Sequence, residues 1–170
     1  IIYSKDGKTI GPVPPAVSFD SINFDGISSI GAFAFSGREN QMSDIEIPSH
    51  ITSIGDYAFC DYGGYDKNYE GTVNIKLNQG LTSIGDYAFA KIHCLEEINF
   101  PDSVTSIGKG AFSSDNRLKS IAIPPKVTVI SDELFKYCYN LTSVKLPEGI
   151  TEIGKYAFHG PFNLISIDLP

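Results

Sequence analysis

The 170-residue sequence has no tryptophan, one methionine and only three cysteines. Cys60, Cys94 and Cys138 are too few and too irregularly spaced for a disulfide framework, and none lies in a C-x-x-C or Cys/His spacing that would hold zinc. Pairing of Cys60 with Cys94 stays open, as does the redox compartment. No apolar run approaches the roughly 18 residues of a membrane helix, so no membrane insertion is expected. Positive charge is scarce: 13 Lys and Arg against 20 Asp and Glu leave a net charge of −7. The cations form no block, which argues against a nucleic-acid partner. G-x-G-x-x-G, G-K-[ST], H-E-x-x-H and the calcium-binding nonapeptide are all missing, so neither a cofactor nor a metal is expected. The opening IIYSKDGKTI has no initiator Met, basic stretch or cleavage site and reads as the start of a mature or excised fragment.

What is present is a repeat. SIGAFAF, SIGDYAF (twice), SIGKGAF, VISDELF and EIGKYAF end on Phe35, Phe59, Phe89, Phe112, Phe135 and Phe158, at steps of 24, 30, 23, 23 and 23 residues. Each is followed by a polar stretch and then a strand-like phrase such as LKSIAIP or LTSVKLP. In LKSIAIP, Leu118, Ile121 and Ile123 take one side while Lys119, Ser120 and Ala122 take the other, and Pro124 ends the ladder because it has no N–H to donate. A second short extended segment, V-T-x-I, leads into a Gly in five copies, where glycine serves a positive φ or a close backbone approach. The fifth copy has Ser131 at that place and Leu134 where most copies have Ala, two departures that can compensate within one coil.

These residues predict one domain over 1–170. Residues 1–17 form a hairpin cap around Asp6-Gly7, and 18–170 form about six 23-residue repeats with an insertion at 61–71. The fold class expected is an α+β repeat solenoid: short parallel strands with brief helical or 3-10 turns around each A-F pair. No coil can bury both faces of its strands alone, so neighbours supply the missing surface. The sequence stops at IDLP, directly after a strand phrase. The final coil is therefore either followed by more repeats, as in a fragment of a longer protein, or left uncovered, and an open edge there would drive end-to-end self-association.

The phrase L-x-x-I-x-I-P-x-x-V-T-S-I-G-x-x-A-F, seen in LKSIAIPPKVTVISDELF and LEEINFPDSVTSIGKGAF, resembles the BspA-like or Treponema-type leucine-rich repeats. The hairpin-like YSKDGKTI resembles the segment that often precedes such repeats. The resemblance implies a curved right-handed solenoid, extracellular or on the cell surface of host-associated bacteria. It also implies adhesion or protein binding, and no catalytic residues.

Catalysis would need an acid, base or nucleophile held in reach of a partner. His50, His93 and His159 fall in different coils at different phases, so no enzyme is expected. Cys138, at the A-F-x-x-C slot, reads as a small buried thiol. Two surfaces could bind a partner. The insertion DYGGYDKNYEG carries Tyr62, Tyr65 and Tyr69 among Gly and Asn, the composition of adaptable binding loops. The outward strand columns carry Lys76, Glu97, Asn99 and Lys145. The partner expected is a host or matrix protein or a glycan, with a ligand-free structural spacer as the alternative. Phe33, Tyr57 and Tyr87 read as an aromatic ladder between coils rather than a sugar platform.

The Phe of each A-F pair is assigned to the middle of the core. Phe112→Ala should therefore lower unfolding free energy by about 3–5 kcal/mol in urea titration; a loss below about 1 kcal/mol would remove it from the core.

Overall fold

The computed structural model describes residues 1–38, 44–63 and 71–168. Its architecture is a parallel β-solenoid of about six turns, built from thirteen short strands in two series that recur once per coil. Thr9–Ile10 (β1) opens the first series, which continues through Ser29–Ile30 (β2), Ser53–Ile54 (β4), Ser83–Ile84 (β6), Ser106–Ile107 (β8), Val129–Ile130 (β10) and Glu152–Ile153 (β12). The second series is Ile45–Glu46 (β3), Val73–Lys76 (β5), Leu95–Asn99 (β7), Ser120–Ala122 (β9), Ser143–Lys145 (β11) and Ser166–Asp168 (β13). Every pairing within the two series is parallel and joins equivalent positions of neighbouring coils, as in Ile45↔Ile75↔Ile98 and Ile121↔Val144↔Ile167. At the N-terminus, Ser4 N–H donates to Thr9 O at 2.9 Å and Tyr3 bridges Ile10 in antiparallel sense, while β1 pairs with β2 and covers the first coil.

The helical turns expected around A-F are absent among the described residues. The helix there is a single 3-10 turn, Phe19–Ser21, ahead of the first A-F pair, so the class is β-solenoid and not α+β. Two left-handed residues per turn explain the difference. The position two before each Phe has positive φ (Phe33 57°, Tyr57 56°, Tyr87 53°, Gly110 57°, Glu133 58°, Tyr156 59°). So does the position two after it (Gly37 70°, Asp61 57°, Lys91 63°, Ser114 67°, Tyr137 64°, Gly160 104°). A helix cannot run through such residues, and each non-glycine there is strained by roughly 1–2 kcal/mol. Inter-coil bonds offset the strain. In the third coil Tyr87, Phe89 and Lys91 donate their amides to the carbonyls of Lys109, Ala111 and Ser113 at 2.8, 2.9 and 2.8 Å. The first, second, fourth and fifth coils repeat the pattern: these amides join one coil to the next instead of closing i→i−4 rings.

The Phe side chains beneath these bonds stack along the solenoid axis. Successive ring centroids lie 5.1, 5.4, 5.6, 6.2 and 5.7 Å apart from Phe35 to Phe158. Phe19 packs edge-on to Phe35 at 5.1 Å and closes the N-terminal end of the stack. The glycine that follows each Ile serves close approach and not positive φ. A Cβ on Gly108 would stand 2.5 Å from the Asp86 amide nitrogen and from the Gly85 carbonyl carbon of the preceding coil. That space is already filled by the chain itself, since Asp86 Oδ1 accepts the Lys109 N–H at 2.8 Å.

Ser131 shows what happens without that glycine. Elsewhere the glycine amide donates to the Ile carbonyl one coil back, as Gly108 N–H does to Ile84 O at 2.8 Å. At the fifth coil the Ser131 hydroxyl makes the bond instead, to Ile107 O at 2.5 Å. The first strand series divides here, β1-β2-β4-β6-β8 on one side and β10-β12 on the other. The Phe112–Phe135 spacing of 6.2 Å is the widest in the stack, and the buried Leu134 fills the wider seam where other coils have Ala. Ser131→Gly should therefore hold or raise the unfolding midpoint by letting the amide reach Ile107. Ser131→Ala should lower stability by about 1–3 kcal/mol, because it leaves a carbonyl without its donor. Equal loss in both variants would contradict this reading.

Candidate functional site

The second strand series has one set of side chains buried and the alternate set in solvent, because successive residues of a strand point to opposite faces. Ile75, Ile98, Ile121 and Val144 lie in the core, whereas Lys76, Glu97, Asn99 and Lys145 are exposed. These four sequence-nominated residues border one shallow trough across four coils. A hollow of about 280 Å³ lies between Lys76 and the Glu97–Asn99 segment. A second of about 220 Å³ runs from Glu97 and Asn99 over Ser120, Ala122 and Ser143 to Lys145. A third of about 450 Å³ continues from Ala122 and Lys145 to Pro125, Leu146 and Pro147. The middle is low because its outward residues are small, and the far end is apolar because both strand ends turn at prolines.

Charge along the trough alternates. Lys76 Nζ pairs with Glu46 Oε1 at 2.6 Å, and Asn99 Nδ2 donates to Glu97 Oε1 at 3.0 Å. Asp44 accepts both the backbone N–H and the side-chain amide of Asn74, at 2.8 and 3.1 Å. These donors hold the Asp44 and Glu46 carboxyls below their ordinary range, led by the Asn74 amide and the Lys76 ammonium respectively. Lys145 is exposed and enters no ion pair among the described residues.

The insertion reads differently. Tyr65 and Tyr69 lie outside the described residues. Tyr62 is not a surface contact: it is 0% exposed, with its ring edge-on to Phe59 at 6.1 Å. The reason is register. Three residues after each Phe comes an inward slot, filled in turn by Arg38, Tyr62, Ile92, Asp115, Cys138 and Pro161, all buried. Cys138 sits there as expected, with its thiol donating to Phe112 O at 2.9 Å. The same count from Phe59 would have found Tyr62.

The slot also holds Arg38, which the sequence reading overlooked. Its guanidinium donates to the carbonyls of Val17, Val13 and Pro14 at 2.5, 3.1 and 3.1 Å and lies 5.0 Å from the Phe35 ring centroid. It ties the cap to the first coil. The Phe33–Tyr57–Tyr87 ladder forms, with centroids 4.9 and 5.1 Å apart and planes within 1° and 16°. A second exposed aromatic group, also unremarked in the sequence, contains Tyr137, Tyr139, Tyr156 and Phe162 in the last two coils.

The histidines stay apart. His50 Nε2 meets Phe24 O at 3.0 Å, His93 Nδ1 meets Asn116 Nδ2 at 3.2 Å, and the His159 ring packs edge-on to Tyr137 and Tyr156. The three cysteines are free and buried, and burial pushes the Cys60 thiol up to about 11, where it is no nucleophile at neutral pH. Among the described residues no three His, Cys, Asp or Glu side chains stand together to hold a metal ion.

The BspA type leucine rich repeat region model matches six copies, over residues 16–70 and 65–170. A leucine-rich repeat protein from Treponema pallidum is similar in structure, with a TM-score of 0.74 and 26% identity over 98% of this chain and 77% of that one. One from Bacteroides ovatus has a TM-score of 0.64 and 28% identity, covering 98% of this chain and 46% of its own. A leucine rich cell surface protein from Faecalibacterium prausnitzii has a TM-score of 0.61 and 28% identity, covering 94% of this chain and 47% of its own. The chain thus spans less than half the length of the last two. No curated protein matches the sequence.

Tyr62 and Lys145 should separate in stability measurements. Tyr62→Ala should cost about 3–5 kcal/mol, as a large aromatic removed from a core does, and Lys145→Ala should stay within about 0.5 kcal/mol of wild type. A Tyr62→Ala protein as stable as wild type would put that ring outside the core.

Proposed function

The chain belongs to the BspA-type leucine-rich repeat family, and from that premise we propose that it is a non-catalytic protein-interaction module of a bacterial surface or secreted protein, docking its partner along the strand-face trough. The observation that carries the reading is the continuity of the trough. Lys76, Glu97, Asn99 and Lys145 come from three coils, yet they border one run of adjoining hollows with a low Ser120–Ala122–Ser143 centre and an apolar end. An extended segment of a host or matrix protein fits such a channel, with small floor residues permitting close backbone approach and the exposed Lys145 offering a charged contact. Tyr65 and Tyr69 are further candidate contacts. The surface location is supported by the likeness to a Faecalibacterium prausnitzii cell surface protein.

A spacer with no ligand of its own is the second reading, favoured by the mixed charge and lack of large aromatics in the trough. A binding screen against extracellular-matrix proteins and a glycan array distinguishes the two. Ala122→Arg fills the channel centre without touching the core and should weaken capture about tenfold or more, a change of about 1.4 kcal/mol, at unchanged melting temperature. Capture lost only on changing Tyr65 and Tyr69 to Ser would move the site to the insertion. A blank with wild-type protein would favour the spacer.

A further inference from the structure

Asp115 occupies the inward slot between Ile92 of the coil before and Cys138 of the coil after, and it is 0% exposed. Its Oδ1 accepts the Ile92 N–H at 2.8 Å, while Oδ2 has no hydrogen-bond partner among the described residues. Among the described residues no Lys, Arg or His side chain pairs with it.

The groups around it do not supply a counter-charge. Cys60 faces it from the second coil, Cys94 from the third and Cys138 from the fifth, and burial raises all three thiols, so they are neutral. Asp61, beside Cys60, pairs with Lys91 at 3.6 Å at the surface. His93 is pushed down by burial, hence neutral, and its ring meets Asn116. Arg117, on the same loop, directs Nη1 to Gly71 O at 2.8 Å. A carboxylate in these surroundings would be a buried charge with one amide donor, an arrangement proteins avoid by keeping the group protonated.

We propose that Asp115 is a built-in proton site: the folded chain keeps this carboxyl neutral, and the central coils loosen as pH rises. Burial raises the carboxyl well above its ordinary 3.8, the Ile92 bond only partly opposing it. The sign follows from linkage. Below about pH 4 the group is protonated in both states and its contribution is complete. As pH climbs above that value, the unfolded chain releases the proton and the folded chain does not, so stability is lost until the folded carboxyl itself ionises. The surface carboxylates Asp44, Glu46 and Glu133 have the opposite sign, being lowered by Asn74, Lys76 and Lys136, and they lose their contribution in acid. Between pH 5 and 9 (about the range of ordinary buffers) the Asp115 effect therefore stands apart from theirs.

Urea denaturation of wild type and Asp115→Asn across that range is the test. The wild-type folding constant should fall relative to the variant by up to about tenfold per pH unit over part of the range. Asp115→Ile, which copies the residue at the same slot in the third coil, serves the same comparison if the Asn variant folds poorly. Parallel pH profiles in wild type and variant would overturn the proposal. Infrared difference spectra give a second readout that needs no unfolding. Wild type at neutral pH should show the C=O band of a protonated carboxyl that both variants lack, and its absence would also overturn the proposal.

Discussion

The structure depends on amide-to-carbonyl bonds that run from one A-F turn to the next. A coil of 23 residues has no core of its own: its strands are two to five residues long, and its Phe is buried only because another Phe lies on each side. The turn amides place those rings in register. They also hold Phe33, Tyr57, Tyr87 and Glu133 left-handed, a conformation that isolated L-residues avoid. Stability then spreads along the stack as a sum of coil-to-coil interfaces. The first sheet divides at Ser131, where a hydroxyl replaces an amide, and the second divides between β7 and β9.

Much of this was legible in the sequence. The period, the Phe column, the strand phrases ending in proline and the aromatic ladder all follow from which residues recur, because burial repeats with the coil. The turn type was not legible. Short A-F segments rich in Ala, Phe and Lys look helical in isolation, and nine of the twelve left-handed residues within them are not glycine, four of these being tyrosine. What selects the turn is a set of bonds to another coil, and no single repeat displays its neighbour's carbonyls. The glycine after Ile was half legible, since close approach and positive φ were both open until the preceding Asp backbone was seen to fill the space.

The candidate site divides the same way. Lys76, Glu97, Asn99 and Lys145 were readable as outward residues from strand alternation alone, though their union into one trough needed the small Ser120, Ala122 and Ser143 to be seen side by side. Tyr62 was misplaced because composition suggested a binding loop, whereas its distance from Phe59 put it in the inward slot of Cys138. Arg38 and Asp115 belong to that slot too. One secures the cap and the other stands in the core with no counter-ion among the described residues, so the slot is where this chain departs most from an apolar repeat.

Through-hydrogen-bond scalar couplings, measured by NMR on isotope-labelled protein, test the inter-coil turn bonds most directly. The account predicts a correlation from the Phe89 amide nitrogen to the Ala111 carbonyl carbon, with equivalents from Phe59 to Ala88 and Phe135 to Ala157. Correlations from Phe89 to Gly85, the partner four residues back that a helix would use, would contradict it.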